Sequence, residues 1–225
     1  MTKYRCVMAL AAAIGFSAGH SFADIVPPTS NPAPPAAKLL AETEGANGVF
    51  VADDGGAVRH LQSGLVCPEA IGYDNLWKLA VFDPQGGDVG CDYGHVGKDN
   101  IIDSKLSLYA TRAGAGDTVD AAFARYQTEV TQVSPGAKVV GPVFSDLSPE
   151  TAQMTRSERY NLSYQGHPFI SDLVVALKAG WVIEVRNSVM TESSDTGTQT
   201  VDVDSLTRAA FDQALATVSG VGAGQ

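Results

Sequence analysis

The sequence predicts an α+β fold, an antiparallel sheet of hairpins and a meander with two main helices packed on it. Apolar and polar residues alternate with a period of two both before and after a stretch of helical period, and turn residues separate the alternating segments. Strands that follow one another in hairpins, with two separated helices, favour α+β over a parallel βαβ arrangement.

The first strands are predicted in a hairpin at residues 49–61. Its turn is Asp53-Asp54-Gly55-Gly56, and such Asp/Gly pairs supply the positive φ that tight hairpin turns require. Alternating residues then predict a half-buried strand at 76–82, which pairs with a returning strand at 89–93. A loop rich in Gly and Asp, 94–100, leads to a further strand at 105–111.

The clearest helix is predicted from Asp117, whose side chain is expected to cap the first turn. Apolar residues follow at spacings of three and four as far as Val133, which predicts one buried stripe. Ser134-Pro135-Gly136 ends the helix. A strand at 138–144 comes next.

The period then returns to two, which predicts a meander over residues 159–189 with one face buried and the other wet or lightly covered. Gly166-His167-Pro168 and Ala179-Gly180 form its turns. A polar loop, 191–200, precedes the last helix, for which Asp202 or Asp204 is the expected cap.

The N-terminus has the features of a secretory signal peptide. Lys3 and Arg5 precede a short apolar run, and Ser21 and Ala23 are the small residues at positions −3 and −1 of a cut after Ala23. The run is shorter than the roughly 20 residues that span a bilayer. We therefore expect a periplasmic or secreted protein without a membrane span.

Four segments are predicted along the chain: a signal peptide (1–23), a Pro/Ala-rich flexible linker (24–47), one α+β domain (48–219) and a disordered tail (220–225). Cleavage removes two of the 15 basic residues and none of the 25 acidic ones, so the formal charge becomes −12. We expect no nucleic-acid partner, because binding nucleic acid needs clustered Lys and Arg.

The mature chain retains two cysteines, Cys67 and Cys91. A pair of cysteines in an oxidising compartment predicts one disulfide. The alternative is a redox or metal-binding thiol pair, but the sequence contains no C-x-x-C motif to favour it.

The order hairpins, helix, meander, helix over about residues 48–218 resembles the Mog1/PsbP-like fold. Members of that fold are mostly assembly or binding factors rather than enzymes. The resemblance rests on element order and assigns no function to an individual residue.

One acidic cluster is the candidate metal site, formed by Asp92, His95 and Asp99 between Asp88 and Asp103. Carboxylate oxygens bind Ca²⁺, and a histidine would suit a transition metal. The spacing matches no EF-hand or zinc pattern, and Asp and Gly also populate turns for conformational reasons. Both interpretations stay open at this level.

No catalytic residue and no cofactor beyond this possible divalent metal is predicted. Neither Ser63-Gly64 nor Ser134-Pro135-Gly136 gives G-x-S-x-G after a strand, and the sequence has no phosphate-binding loop. We expect a non-catalytic exported factor that binds an unknown protein or small-molecule ligand. The alternative is a metal-dependent protein or hydrolase that uses residues 88–103.

Overall fold

The computed structural model describes residues 35–96, 102–191 and 202–219 and confirms the α+β class. Its helices are α1 (Ala36–Glu42), α2 (Val119–Val133), α3 (Pro149–Met154) and α4 (Val203–Thr217). Its strands are β1 (Phe50–Ala52), β2 (Val58–His60), β3 (Val66–Cys67), β4 (Ala70–Ile71), β5 (Asp74–Val81), β6 (Asp88–Val96), β7 (Ile102–Arg112), β8 (Lys138–Gly141), β9 (Thr155–Tyr164), β10 (His167–Lys178) and β11 (Trp181–Met190).

Two antiparallel sheets organise the described residues. The small sheet has the order β1-β2-β3, and the large sheet has the order β4-β5-β6-β7-β11-β10-β9-β8. The early hairpins and the later meander meet where β7 pairs with β11, from Ser104 opposite Val189 to Arg112 opposite Trp181. The predicted hairpins and meander are therefore joined into one sheet.

One face of the large sheet, which we call the closed face, carries Cys91, Leu108 and Val185 and contains the main core. Helix α4 packs on it through Leu206, Ala210, Phe211 and Ala214, all of them buried. The small sheet and α1 extend the same core. The predicted last helix is confirmed, and Asp202 is its N-cap.

The disulfide Cys67–Cys91 links β3 of the small sheet to β6 of the large sheet. Both cysteines are completely buried in the core of the closed face. On the chain-entropy model, closing a loop of this length stabilises the fold by about 3.5 kcal/mol. The predicted pairing is confirmed.

The opposite face, which we call the half-covered face, carries Asp92, Tyr109, Glu184 and Arg186 on its central strands. Helix α2 lies over its β9–β10 side, where a second apolar cluster forms. The buried residues of that cluster are Ala122, Tyr126, Tyr160, Leu173, Val175 and Val182. A third apolar cluster of Leu162, Phe169 and Met190 lies on the same face, whereas its central strands carry polar residues.

The structure corrects the predicted linker. Residues 36–42 form α1, and Leu39 is buried in the main core, so the folded domain begins before residue 48. Pro35 precedes the helix without obstructing it, since the first turn needs no donor from that position. The signal peptide, residues 24–34 of the linker and the tail at 220–225 lie outside the described residues.

Several boundaries also differ from the prediction. Thr118 caps α2, accepting a hydrogen bond from the Ala121 amide at 3.1 Å, whereas Asp117 accepts one from the Gly114 amide and fixes the preceding turn. Strand β6 continues to Val96, through residues predicted to be a loop. Helix α3 was not predicted. Within the described part of the chain, no helix is long and apolar enough to cross a bilayer.

Candidate functional site

Two of the predicted metal ligands, Asp92 and His95, are not brought together. Asp92 and His95 lie three positions apart on β6, and successive side chains of a strand point to opposite faces. Asp92 therefore lies on the half-covered face, where it accepts a hydrogen bond from Ser107 at 2.6 Å. The ring of His95 instead lies edge-on to Tyr73, at 5.5 Å between centroids.

Asp92 and His95 therefore do not share a face, and the metal site as a whole, which includes Asp99, stays a prediction. The Nδ1 atom of His95 lies 4.0 Å from an Asp103 oxygen, which is one acidic neighbour. Among the described residues, no group of three His, Cys, Asp or Glu side chains could hold a metal ion. Asp99 lies outside the described residues.

The half-covered face holds a polar network in two adjacent rows across the sheet. Asp92, Ser107 and Arg186 are direct cross-strand neighbours in one row. Gly90, Tyr109 and Glu184 occupy the next row. The sheet thus places two acids, an arginine and two hydroxyl groups side by side, although they come from three strands.

Arg186 is the centre of this network. Its Nε donates to Glu184 on the same strand, and its Nη2 donates to Glu129 of α2 at 2.7 Å. Only 19% of the Arg186 side chain and 4% of the Glu184 side chain are exposed. The bond to Glu129 ties α2 to the sheet, and the guanidinium is held from two directions.

Tyr109 fits this row because its neighbour is a glycine. A Cβ atom at Gly90 would lie 2.5 Å from the Tyr109 ring, a distance that no side chain tolerates. The Tyr109 ring lies instead over the bare backbone of β6, with its hydroxyl group 3.4 Å from Asp92. Gly90 is therefore required for the position of Tyr109.

Burial changes the protonation of this network. Desolvation raises the pKa of Glu184 to about 7, against the opposing effect of Arg186. Desolvation, followed by the charge of Asp92, raises the pKa of Tyr109 well above its ordinary value. Near neutral pH, Tyr109 is thus a neutral hydroxyl group, and Glu184 is part protonated and part charged.

A cleft opens between this network and the C-terminal half of α2. Its interior volume of about 40 Å³ admits a few water-sized groups. The lining residues are Lys105, Ser107, Tyr109, Val130, Val133, Ser134, Leu162, Ser171, Arg186 and Ser188. They give the cleft a floor of cationic and hydroxyl groups and walls of aliphatic side chains.

The lining suits binding better than reaction. Ser171 and Ser188 hydrogen-bond to each other at 2.8 Å, and Ser107 donates to Asp92. No histidine, cysteine or carboxylate is among the lining residues, and Asp92, the carboxylate bonded to Ser107, is not one of them. Lys105 and Arg186 supply positive charge and hydrogen-bond donors.

A second, wider recess of about 450 Å³ lies beside the turn between β5 and β6. Its polar groups largely bond to each other. Asp83 accepts from the Gln85 and Gly87 amides, and Arg112 donates to Gln62. Because these groups already have partners, the recess offers few polar atoms to a ligand.

Sequence reasoning missed the residues that build the cleft. In the sequence, Glu184 and Arg186 are polar positions that alternate with apolar ones in the predicted meander. Their spacing of two did indicate that they share a face. Nothing in the sequence indicated that Glu129, 57 positions before Arg186, would reach them.

The comparisons with known proteins give no family. No family model matches the chain, and no curated protein matches it. Among solved structures, the chain is similar to PA94 of Pseudomonas aeruginosa, a protein of unknown function, with 17% identity and a TM-score of 0.31. That match covers 51% of this chain and 72% of the other, and it is too weak to transfer a fold or a function. The Mog1/PsbP-like resemblance stays a prediction.

Proposed function

We propose that this protein is an exported, non-catalytic binding factor that holds a small ligand in the cleft between α2 and the half-covered face. The observation that carries the proposal is the cleft itself. Cationic and hydroxyl groups converge on a floor walled by Val130, Val133 and Leu162. Ligand sites typically combine such apolar walls with a few convergent polar groups.

Export is supported by two independent features. The N-terminal residues have the charge, the short apolar run and the small residues of a signal peptide. The disulfide Cys67–Cys91 persists most readily in an oxidising compartment such as the periplasm or the outside of the cell. Together they favour a protein that acts after leaving the cytoplasm.

Rigidity supports binding at this place. Arg186 is fixed by Glu184 and Glu129, and Ser107 is fixed by Asp92. Polar groups that already have fixed orientations lose little conformational entropy when a ligand arrives. The polar groups on the floor of the cleft are therefore preorganised for a ligand.

The test is native mass spectrometry of the mature protein purified from the exported fraction. We compare the wild type with Ser134→Trp, which fills the cleft from the end of α2, and with Gln132→Trp, which adds the same ring on the exposed side of that helix. A small-molecule adduct in the wild type and in Gln132→Trp, absent from Ser134→Trp, supports the proposal. An adduct that survives in Ser134→Trp, or a wild type without any adduct, overturns it.

A further inference from the structure

We infer that helix α2 is a proton-dependent cover of the half-covered face, which docks firmly when Glu184 carries a proton and separates more readily when Glu184 is charged. The residues that carry this inference are Glu184 and Arg186 on β11 and Glu129 on α2. The inference goes beyond the proposed function, because it concerns the helix and holds whether or not the cleft binds a ligand.

Two carboxylates share one guanidinium at the contact between α2 and the sheet. The Nε atom of Arg186 donates to Glu184, and its Nη2 atom donates to Glu129 at 2.7 Å. Only 19% of the Glu129 side chain and 4% of the Glu184 side chain are exposed. When both acids are ionised, Arg186 offsets only one of the two negative charges at a place that water hardly reaches, which disfavours docking.

Helix α2 supplies the cover over this group of side chains. The centroid of the Tyr126 ring lies 5.7 Å from the guanidinium carbon of Arg186, and the Tyr126 hydroxyl group lies 3.5 Å from the Thr111 hydroxyl group of β7. Tyr126 is buried in the second apolar cluster, so its ring and the helix move together. Water therefore reaches Glu184 more freely when α2 separates from the sheet.

The groups packed around Glu184 act on its carboxyl group in both directions. Burial is the largest effect and raises its pKa to about 7, the charges of Glu129 and Asp88 add to that increase, and Arg186 opposes it. The residue opposite Glu184 on β10 is the apolar Val175. The other charged and titratable groups on this part of the face are Tyr109 and Lys105 on β7, Asp92 on β6, and Arg125 and Tyr126 on α2. Protonation of Glu184 removes the negative charge that repels Glu129 and Asp88.

Helix α2 is held less firmly than α4. The buried residues of α2 are Val119, Ala122 and Tyr126, whereas those of α4 are Leu206, Thr207, Ala210, Phe211 and Ala214. The ion pair of Asp120 with Arg156, which also joins α2 to the sheet, is exposed and adds little stability. Segments that bury less apolar surface open locally at a lower free energy. Helix α2 can therefore separate while the closed face stays intact.

The raised pKa links docking of α2 to the uptake of a proton. The pKa of Glu184 is about 7 while α2 covers it, and it returns towards the ordinary value of 4.5 when the helix separates. The docked state therefore binds the proton more tightly than the open state. Its advantage is complete below about pH 4.5, decreases as the pH rises, and is lost above about pH 7. Docking is firmest in acidic solution and weakest in mildly alkaline solution.

Separation of α2 changes the surface that the half-covered face presents. The sheet residues of the second apolar cluster lie under the helix, and they are Tyr160, Leu173, Val175 and Val182. The same helix supplies Val130 and Val133 to the cleft. A rise in pH therefore exposes apolar surface of the sheet and opens the cleft to solvent.

The experiment is hydrogen–deuterium exchange of the mature protein from about pH 5 to about pH 8, read by mass spectrometry on peptides from α2 and from α4. Dividing each rate by the intrinsic exchange rate at that pH gives the opening constant of each helix. We expect the α2 opening constant to rise about 50-fold over this range. Glu184→Gln should abolish that rise in α2 and leave the α4 peptides unchanged. The matched control, Glu150→Gln in the exposed first turn of α3, should preserve the rise.

The inference is overturned by an α2 opening constant that does not change with pH in the wild type. A rise that persists in Glu184→Gln also overturns it, because the titrating group then lies elsewhere. Equal changes in the α2 and α4 peptides of Glu184→Gln overturn it as well, since the whole fold then responds and not the helix. If Glu184→Gln does not fold, Glu129→Gln decides. Loss of the Glu129 charge should make the α2 rise level off at a lower pH, and an unchanged profile overturns the inference.

Discussion

The two faces of the large sheet are formed by the same strands but differ in composition and in how completely they are covered. The closed face is sealed by α4, α1 and the small sheet, and its centre is apolar and crossed by the disulfide. The half-covered face has one helix over it, and its centre is a network around Arg186. The two faces differ because helices and the small sheet exclude water from one of them more completely. Burying a charged group costs little free energy only where hydrogen-bond partners or water reach it.

Two buried carboxyl groups on the closed face differ in how many hydrogen bonds compensate their loss of contact with water. Asp172 is fully buried but accepts two hydrogen bonds from Arg159, at 2.6 and 2.8 Å, and one from Thr207 of α4. Asp74 is equally buried, yet only Ser104 bonds to it, and its Oδ1 atom has no partner within the described residues. The first acid is compensated, and the second is left incompletely satisfied.

The largest expected effect comes from removing matched aromatic rings on the two faces. Phe211 of α4 is 1% exposed and packs 5.3 Å from the Phe144 ring, so Phe211→Ala should cost about 4 kcal/mol of unfolding free energy. Phe123 of α2 is partly buried at the edge of the second cluster, so Phe123→Ala should cost about 1.5 kcal/mol.

Urea unfolding followed by circular dichroism measures both values on the same preparation. Equal costs for Phe211→Ala and Phe123→Ala would break the contrast between a sealed and a half-covered face. A larger cost for Phe123→Ala would mean that α2 seals its face as completely as α4 does.

The second effect is a pH dependence that arises on the closed face. Burial raises the pKa of the Asp74 carboxyl to about 7, although its bond to Ser104 opposes the shift. The folded state therefore holds this proton more strongly than the unfolded chain. The stabilisation is complete below about pH 4, falls as the pH rises, and is lost above about pH 7.

The Asp74 contribution should amount to about 2.5 kcal/mol between about pH 5 and about pH 8. Asp74→Asn removes this titration, so unfolding free energies measured across that range should depend less on pH. Asp212→Asn, on the exposed side of α4, is the matched control and should leave the pH dependence unchanged. An unaltered slope in Asp74→Asn would contradict the assignment.

The smallest effect tests how α2 is anchored over the half-covered face. Thr118→Ala removes the side-chain cap of α2 and should cost about 1 kcal/mol. Asp117→Ala removes only the bond to the Gly114 amide in the preceding turn and should cost about 0.5 kcal/mol. Thermal unfolding of the two variants ranks them, and the reverse order would restore Asp117 as the cap that the sequence predicted.

Local sequence patterns predicted much of the secondary structure. The hairpin turn at Asp53–Gly56, the stripe of α2 and the alternation of the meander each depend on residues close together in the chain. Sequence reasoning failed at α1 and along β6. The Pro/Ala-rich composition of residues 24–47 gave no sign of α1, a short helix whose Leu39 packs in the main core. The Gly and Asp residues at the end of β6 are typical of a loop, but pairing with β5 and β7 holds them in a strand.

The sequence by itself determined the α+β class, the disulfide partners and the two main amphipathic helices, because these follow from local period and from a count of two mature cysteines. Only the tertiary structure decided that Asp92 and His95 part to opposite faces and that Glu129 meets Arg186. Strand alternation and helix docking bring together or separate side chains irrespective of their distance along the chain. The candidate site therefore follows from which face α2 covers, a choice that no single segment encodes.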